Sequence, residues 1–408
     1  MNLGIVYPSL RSVGGAENVV VWLAESLAKH GHAVVVFTTE FSEAAWGAIE
    51  DRPYSVHLLD IKKRRSTLKT NREAGAVLKK ALSTHDLDLV NPHNYPASLW
   101  VYYARSGRST FPKVLLYLHN LTRNFYEAAI DVHFSRLRGF RNVWNRFRPR
   151  KMLRRLRQLV FGYRKLDQAA VHSCDRVLAN SSYTAMLAER IYGMSVSACP
   201  LGVSLDRYGI GRQGWTGSMS GGASVPVILV VARIEIQKNI DTLLRAVCLL
   251  RRRLPSIPFR VEIAGSGPQL RYFQRKSVRM GLADTVEFLG FVPGAEIGSR
   301  YAGADFLVHI PLDEPFGLVP VEAALFRKPS IVSDHGGPAE IVQNGITGLH
   351  VDALDPSCVA GRIEELLRQP EKARRMGDAA YYWVTKNMTW EIFADKYDAF
   401  LQETVSTG

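Results

Sequence analysis

Short β-branched segments alternate with helical patterns along the whole chain, and this alternation constrains its fold most strongly. The segments in the N-terminal half are residues 3–7, 33–38, 87–91, 114–119 and 176–179, and those in the C-terminal half are residues 227–232, 259–264, 285–289, 306–310 and 330–333. Such alternation is typical of parallel βα units. The sequence therefore predicts an α/β fold with two Rossmann-like, doubly wound domains. Their ligand is expected at the carboxyl ends of the strands.

A stretch rich in glycine and serine, from Gly209 to Ser224, indicates where the two halves meet. This composition is typical of a linker, and a chain of 408 residues exceeds what one hydrophobic core usually serves. We predict an N-terminal domain over residues 1–208, a linker over 209–226, a C-terminal domain over 227–389 and a last helix within 390–408.

Composition excludes several classes of protein. Apolar residues make up 47% of the chain and charged residues 22%, which is ordinary for a globular protein and excludes a largely disordered one. The four cysteines form no CxxC pair, which predicts a reduced, intracellular chain without structural zinc. Neither a signal peptide nor an apolar run of about 18 residues is found. The net charge of +14 indicates an anionic partner: nucleotide phosphates, lipid head groups or nucleic acid.

The most specific segment is Glu-Pro-Phe-Gly-Leu-Val-Pro-Val-Glu, residues 314–322. A helix is expected to begin near Gly317, because Pro320 is tolerated in a first helical turn. Free N–H groups at a helix start bind phosphate, and glycine lets the backbone approach a ligand. We expect Glu322 in the first turn, holding both hydroxyls of a ribose, and Glu314 nearer a transferred sugar. Alternatively, Glu322 only offsets the helix dipole and Glu314 is a solvated loop residue.

Two cations follow the first strand of the C-terminal half. Arg233 and Lys238 come after the segment 227–232, and Lys238 precedes an amphipathic helical pattern. Cations in this position would face a diphosphate, whose negative charge grows as a glycosidic bond breaks. The alternative is an ordinary basic cap on a surface helix.

The segment 314–322 resembles the Glu-x7-Glu motif of glycosyltransferase family 4, whose members have the GT-B fold and include retaining bacterial mannosyl- and glucosyltransferases. Four further strings occur in the family's order, and the resemblance extends over nearly the whole chain. These strings are Gly14-Gly15-Ala16-Glu17, Ala232-Arg233 to Lys238-Asn239, Ala264-Gly265-Ser266-Gly267-Pro268 and Gly336-Gly337-Pro338-Ala339-Glu340.

This resemblance implies a retaining hexosyltransferase whose donor site lies in a cleft between the two domains. It favours mannose from GDP-mannose as the donor, and a glycan or lipid-linked acceptor in the synthesis of cell-envelope polysaccharide or glycolipid. It also implies that the last helix crosses back to the N-terminal domain. The catalytic residues implied are His119, Arg233, Lys238 and Glu314, and the donor-binding residues implied are Gly15, Arg233, Lys238, Gly265, Val292, Glu314, Phe316, Gly317, Leu318 and Glu322.

No cluster of histidine and carboxylate ligands in the sequence indicates a metal ion. We therefore expect no metal or other cofactor, with the two cations and helix N–H groups stabilising the diphosphate. By resemblance, retention would follow a front-face route, in which the leaving phosphate oxygen helps to deprotonate the acceptor hydroxyl.

Among the eleven histidines, His119 is the first candidate for the site because it ends a predicted strand at the carboxyl edge. In the family, a histidine in this kind of position contacts the donor sugar and affects transfer. His93 is the second candidate, and His32 is predicted to be structural. The alternatives are a core or loop role for His119 and plain turns at Gly15 and Gly265.

A basic stretch over residues 135–165 contains ten arginines and two lysines and no acidic residue. Its apolar residues follow a helical stripe, which is typical of helices that lie on anionic membranes. This predicts a cytoplasmic protein bound peripherally to the inner face of the membrane. The alternative is a solvated charged face whose apolar stripe packs on its own domain. The predicted membrane contacts are Arg136, Arg138, Phe140, Arg141, Trp144, Phe147 and Arg148.

Three other functions are weighed against this prediction. A nucleic-acid-binding protein would use the same positive charge, but the sequence has neither a recognition-helix motif nor a stacking platform of aromatic residues, so no nucleic acid is expected. A dinucleotide oxidoreductase would need GxGxxG directly after the first strand, and the glycine spacing differs. A catalytically inactive relative that binds sugar nucleotides remains an alternative.

Overall fold

The structure is a computed structural model that describes residues 1–61, 67–121, 162–208, 210 and 225–407. These residues form two compact units. The first consists of Met1–Pro200 together with Phe393–Gly408, and the second consists of Leu201–Ile392. Of the predicted linker, residues 209 and 211–224 lie outside the described residues.

The first unit is built on a seven-stranded parallel sheet. Its strands are β1 (Asn2–Val6), β2 (Ala33–Thr38), β3 (Ser55–Leu58), β4 (Leu89–Pro92), β5 (Lys113–Leu118), β6 (Arg176–Ala179) and β7 (Ser197–Ala198). They lie in the order β3-β2-β1-β4-β5-β6-β7. The order reverses between β1 and β4, and open α/β sheets bind their ligands at such a reversal.

Helices connect the strands of this sheet in the described part of the first unit. In chain order they are α1 (Gly15–Lys29), α2 (Glu43–Trp46), α3 (Leu68–Leu82), α4 (Ala97–Arg105), α5 (Tyr163–His172) and α6 (Ser182–Tyr192). Helix α1 buries Val20, Leu23, Ala24 and Leu27, as its spacing predicts. Full burial of each leucine stabilises the fold by about 1.5–3 kcal/mol.

The second unit is built on a six-stranded parallel sheet. Its strands are β8 (Val227–Val231), β9 (Arg260–Ala264), β10 (Val286–Gly290), β11 (Phe306–His309), β12 (Ser330–Ser333) and β13 (Gly348–Val351). They lie in the order β10-β9-β8-β11-β12-β13, so the reversal here falls between β8 and β11.

The remaining helices are α7 (Ile240–Arg253), α8 (Leu270–Arg279), α9 (Gly294–Gly303), α10 (Leu318–Leu325), α11 (Gly337–Ile341), α12 (Pro356–Arg368), α13 (Pro370–Asn387) and α14 (Trp390–Ser406). Helix α7 buries the predicted stripe of Ile240, Leu243, Leu244, Val247 and Leu250 in the core of the second unit. From Phe393 onward, α14 belongs to the first unit. There Asp398 accepts a 2.6 Å hydrogen bond from His32 Nε2, which gives His32 the structural role expected of it.

The predicted fold class is confirmed, and each of the ten predicted strand segments is a strand, with ends that agree within two residues. Three strands escaped prediction: β3, β7 and β13. All three lie at sheet edges. The central strands are covered on both faces and therefore consist of continuous apolar runs. By contrast, β3 has an exposed residue at each end, β7 has two residues, and β13 begins with glycine.

Candidate functional site

The cations predicted for the second unit follow β8, and the predicted acid Glu314 follows β11. These two strands are neighbours at the reversal of the strand order. Because parallel strands present their carboxyl ends at one sheet edge, the loops that follow them meet there. The sequence predicted this edge as the position of the ligand.

An anchored turn positions Lys238. Residues Ile236–Lys238 form a single 3-10 turn, and the next residue, Asn239, is 1% exposed. Asn239 Nδ2 donates to the carbonyl oxygens of Ile310, at 3.1 Å, and Ala353, at 2.6 Å. The Asn239 side chain thereby ties the turn to the segment that leads to Glu314.

Lys238 and Glu314 form an ion pair between Nζ and Oε2, and their side chains are 20% and 19% exposed. The sequence assigned Lys238 to a diphosphate and Glu314 to a sugar, and the structure brings these two residues together. Ion-pairing atoms that retain some exposure can exchange partners when a ligand arrives. The pair therefore offers a cation and an anion at the same strand edge.

His309 lies directly behind this pair and was not singled out from the sequence. Its Nε2 is 3.9 Å from Glu314 Oε2, and no residue in the described part of the chain forms a hydrogen bond with it. Burial lowers the pKa of His309 to about 4; Glu314 raises this pKa and Lys238 lowers it. The signal was available, because a histidine ends the otherwise apolar strand Phe306–His309.

A cavity of about 10 Å³ lies against Lys238 and His309. That volume is close to the room that one water molecule needs. The apolar side chains of Val230, Ile240 and Val308 are among those that line it. This cavity beside Lys238 therefore has room for one water molecule at most.

Arg233 forms an ion pair with Glu235 in the loop that follows β8. Its side chain is 73% exposed, and its Nε is paired with Glu235 Oε1 at 2.7 Å. A solvated guanidinium is free to reorient toward an anionic ligand, because an exposed ion pair contributes only about 0–1 kcal/mol. The structure thus leaves Arg233 as an exposed cation near the end of β8.

The helix predicted to begin near Gly317 does so: Gly317 is the N-cap of α10. Phe316 is buried, whereas Leu318 is half-buried. The predicted position of Glu322 in the first turn is wrong, because the helix begins at Leu318 and Glu322 is its fifth residue. Glu322 Oε2 accepts a 2.7 Å hydrogen bond from the Tyr301 hydroxyl group.

The glycine-rich strings allow close approach between loops of the second unit. Gly265 has φ +142°, and a Cβ there would overlap the carbonyl oxygen of Ala232, just after β8. The Gly337 N–H donates to the Glu314 carbonyl oxygen at 2.9 Å, and a Cβ on Gly337 would overlap Phe316. Both glycines therefore shape the loops around the predicted site. Following β10, Phe291 is 75% exposed and Val292 is half-buried.

In the first unit, Gly14 is the N-cap of α1 and Gly15 is its first residue. A Cβ on Gly15 would meet nothing within 4 Å, so the backbone of this helix start is open. Glu17 lies in the first turn and accepts a 3.1 Å hydrogen bond from the Tyr7 hydroxyl group. Burial and the neighbouring Glu17 carboxylate raise the pKa of Tyr7.

His119 follows β5 directly and belongs to a buried hydrogen-bonded cluster. Its Nε2 is 2.9 Å from Nδ1 of His93, which makes both candidate histidines parts of one arrangement. Burial lowers the pKa of His119 to about 3. Burial and the adjacent His119 lower the pKa of His93 as well. Both imidazoles are therefore neutral at pH 7.

Comparison with known proteins identifies the family. Residues 13–207 match the family described as Glycosyltransferase Family 4, and residues 223–383 match Glycosyl transferases group 1. The chain belongs to glycosyltransferase family 4. The family predicted from the Glu-x7-Glu motif and its accompanying strings is thus confirmed.

Two curated members of the family illustrate the similarity. The chain is 32% identical, over 193 residues, to the GDP-mannose-dependent alpha-(1-6)-phosphatidylinositol monomannoside mannosyltransferase of Mycolicibacterium smegmatis. This match covers 45% of this chain and 47% of that protein. The chain is also 30% identical, over 253 residues, to the D-inositol 3-phosphate glycosyltransferase of Nocardia farcinica. This second match covers 58% of this chain and 55% of that protein. The matches thus span about half the length of the curated relatives.

Solved structures of GT-B glycosyltransferases share the fold over the whole chain. Sucrose-phosphate synthase from Thermosynechococcus elongatus has a TM-score of 0.78 and 20% identity, with 100% of both chains covered. At this identity the likeness supports the fold alone, and the predicted GT-B fold class is confirmed.

The membrane-contact residues predicted between Arg136 and Arg148 lie outside the described residues. Among the described residues, no helix is long and apolar enough to span a bilayer. The same part of the chain contains no group of three or more histidine, cysteine, aspartate or glutamate side chains that could hold a metal ion.

Proposed function

We propose that this family 4 member is a retaining hexosyltransferase that moves a sugar from a nucleotide diphosphate to a glycan or lipid-linked acceptor. The observation that carries the proposal is the Lys238–Glu314 ion pair at the reversal of the second sheet. It combines a cation for a diphosphate and a carboxylate for sugar hydroxyls with the helix start at Gly317.

In this proposal the ligand separates the pair. Lys238 turns to the diphosphate, where Arg233 joins it, and both stabilise the charge that develops on the leaving phosphate. Glu314 turns to the hydroxyls of the hexose, and His119, in the first unit, also contacts the donor sugar. The leaving phosphate oxygen accepts the proton of the acceptor hydroxyl while that hydroxyl oxygen forms the new glycosidic bond on the same face. The residues present supply the charge needed, so we propose that neither a metal ion nor another cofactor is required.

Mannose from GDP-mannose is the first candidate donor, because the Mycolicibacterium smegmatis relative is GDP-mannose-dependent. The acceptor of that relative is a phosphatidylinositol monomannoside, which supports a lipid-linked acceptor here. The relative from Nocardia farcinica is named for D-inositol 3-phosphate, so this soluble phosphate is the matched second acceptor to test.

A donor panel tests the proposal. The full chain is incubated with GDP-mannose, UDP-glucose and UDP-GlcNAc, with phosphatidylinositol monomannoside or D-inositol 3-phosphate as acceptor and with and without EDTA, and scored by thermal shift and by release of the nucleoside diphosphate. A bound donor at 100 times its Kd would stabilise the protein by about 2.7 kcal/mol. Consumption of one donor, unaffected by EDTA, is expected. If no donor is bound or consumed, the proposal is wrong, and binding without consumption identifies an inactive relative.

Matched substitutions test the assignment of the pair. Lys238→Met should lower turnover by about 10²–10³-fold, the cost of losing one preorganised donor, and Glu314→Gln should also impair transfer. The control pair is Lys372 and Glu365, whose charged atoms are 2.5 Å apart in the same unit. Lys372→Met and Glu365→Gln should transfer at the wild-type rate. NMR of the product should show the donor's anomeric configuration, and an inverted product would refute retention.

We also propose that the basic stretch over residues 135–165 binds an anionic membrane surface and brings the enzyme to its acceptor. The charge of this stretch supports the proposal, since each basic residue near such a surface contributes about 1 kcal/mol. Neutralising Arg136, Arg138 and Arg141 together should weaken sedimentation with phosphatidylglycerol vesicles while donor hydrolysis persists. Unchanged sedimentation would refute the membrane role.

A further inference from the structure

A buried chain of side chains runs from the last helix to His119. The Tyr397 hydroxyl group, on α14, donates to Asn91 Oδ1 at 2.9 Å. The same oxygen is 3.0 Å from His93 Nε2, and His93 Nδ1 is 2.9 Å from His119 Nε2. Tyr397 and His93 are 0% exposed, Asn91 is 1% exposed and His119 is 6% exposed. All four residues belong to the first unit.

The orientation of the Asn91 amide sets the direction of every hydrogen bond in this chain. Asn91 Nδ2 donates to the carbonyl oxygen of Leu115 at 2.6 Å. Because a carbonyl oxygen only accepts, the nitrogen of the amide must face Leu115. The amide oxygen consequently faces Tyr397 and His93, and it can only accept from them.

The protons on the two histidines follow from this orientation. His93 Nε2 must carry a hydrogen in order to donate to Asn91. A neutral imidazole has a single N–H group, and a ring without exposed surface has no water to solvate a charge. His93 Nδ1 therefore accepts, and the hydrogen between the two rings belongs to His119 Nε2. By the same count, Nδ1 of His119 carries a lone pair.

Hydrogen bonds to both backbone polar groups of His119 fix the position from which its side chain extends. The His119 N–H donates to Asn94 Oδ1 at 2.7 Å, and the His119 carbonyl oxygen accepts from Asn180 Nδ2 at 2.8 Å. Within the described part of the chain, Nδ1 of His119 forms no hydrogen bond. It is therefore available as an acceptor at the carboxyl edge of the first sheet.

We propose that Asn91 and His93 are positioning residues that hold His119 as its Nε2–H tautomer, so that Nδ1 accepts a hydrogen bond from a substrate hydroxyl. This inference rests on the proposed function for the identity of the substrate. An acceptor nitrogen selects a hydroxyl group and disfavours a phosphate oxygen, which has no hydrogen to donate. The Tyr397 hydroxyl group of the last helix donates to the same Asn91 oxygen but does not set the direction of these hydrogen bonds.

Nitrogen-15 NMR of the full chain without substrate tests the tautomers directly. Histidine side chains are labelled, and the signals are assigned from their loss in His93→Gln and His119→Gln. Both rings should show a protonated Nε2 and an unprotonated Nδ1 at pH 7. An Nδ1–H tautomer of His119, or a doubly protonated His93, would overturn the proposal without reference to any activity.

Substitutions of the hydrogen-bonded residues distinguish a positioning role from simple structural support. Asn91→Leu removes the acceptor, so His119 should populate both tautomers, and the KM for the substrate that it contacts should rise about three- to tenfold, the worth of one neutral hydrogen bond. Asn91→Asp keeps an acceptor and should restore the Nε2–H tautomer. Tyr397→Phe removes a donor that does not set the direction, so both tautomers should stay as in the wild type. Wild-type tautomers in Asn91→Leu would refute the assigned direction.

The outcomes distinguish this inference from the proposed function. If the wild type consumes no sugar nucleotide but both histidines are Nε2–H tautomers, the proposed function is wrong and the assigned direction of the hydrogen bonds is confirmed. If the wild type transfers sugar and His119 carries its hydrogen on Nδ1, the function stands and the inference is wrong. Should Asn91→Leu fail to fold, the wild-type spectrum alone decides.

Discussion

Acid should destabilise the second unit through His309, and the size of the effect can be worked from the structure. Burial lowers the pKa of His309 to about 4, with Glu314 raising it and Lys238 lowering it, whereas an unfolded histidine titrates near 6.5. The unfolded chain therefore binds more protons than the folded one between these values. Stability rises with pH in this window, so it is present above pH 6.5 and is lost as the pH falls toward 4.

The expected loss between pH 7 and pH 5 is about 2 kcal/mol, because each pH unit below 6.5 costs about 1.4 kcal/mol until the folded pKa is reached. For a unit of this size, 2 kcal/mol corresponds to a change in Tm of about 4–8 °C. His309→Leu should remove this part of the pH dependence. At pH 7 the substitution should be nearly neutral, because His309 Nε2 forms no hydrogen bond with any described residue.

Differential scanning calorimetry at pH 7, 6 and 5 measures the effect on the wild type and on His309→Leu. His172→Gln, at an exposed position of the first unit, is the control and should keep the wild-type pH dependence. The range stops at pH 5 so that carboxyl groups contribute little. Equal losses of Tm in the wild type and in His309→Leu would refute the reasoning.

Two further predictions concern the loops of the second unit. Gly265→Ala should lower the unfolding free energy by about 1–3 kcal/mol, because a Cβ there overlaps the Ala232 carbonyl oxygen at a φ of +142°. The control is Gly361→Ala, in α12, where nothing lies within 4 Å of the added Cβ and the substitution should raise the unfolding free energy by about 0.5–1 kcal/mol. Thermal unfolding that ranks the two variants the other way would contradict the prediction. Tyr301→Phe removes the 2.7 Å hydrogen bond to Glu322 and should change the KM for the donor about three- to tenfold, whereas an unchanged KM in steady-state kinetics would mean that Glu322 does not hold the donor.

The sequence predicted those features that depend on local pattern. Apolar runs predicted the buried strands, and Gly317 with Pro320 predicted where α10 begins. His119 was found because it follows an apolar run that the sequence predicts as a strand. Local pattern gave one wrong prediction, the position of Glu322 in the helix. The nine-residue motif does not specify which residue begins the helix, and Glu322 lies one turn later than expected.

Contacts between distant segments could not be predicted in this way. Tyr397 reaches Asn91 across 306 positions of the sequence, and Lys238 reaches Glu314 across 76. Hydrophobic periodicity specifies which face of an element is buried, but it does not specify which polar group will meet another inside the fold. The order of strands in the sheet determines those meetings, and it becomes known only with the structure.

The Lys238–Glu314 pair has a consequence for which ligands the second unit prefers. If a nucleoside diphosphate draws Lys238 to its phosphates, Glu314 loses its ion pair with Lys238. The loss of a charged hydrogen-bond partner costs a partly buried carboxylate about 1–3 kcal/mol. A nucleotide sugar avoids this cost because its hexose hydroxyls donate to Glu314.

The intact donor should therefore bind more tightly than the bare nucleoside diphosphate, by about five- to 150-fold for a difference of 1–3 kcal/mol. Glu314→Gln removes the charge that needs a partner, so this substitution should weaken the nucleotide sugar and bring the two affinities together. Isothermal titration calorimetry of the wild type and Glu314→Gln with both ligands measures the ratio. An equal ratio in the two proteins would mean that Glu314 does not contact the sugar, and that the ion pair only stabilises the folded loop.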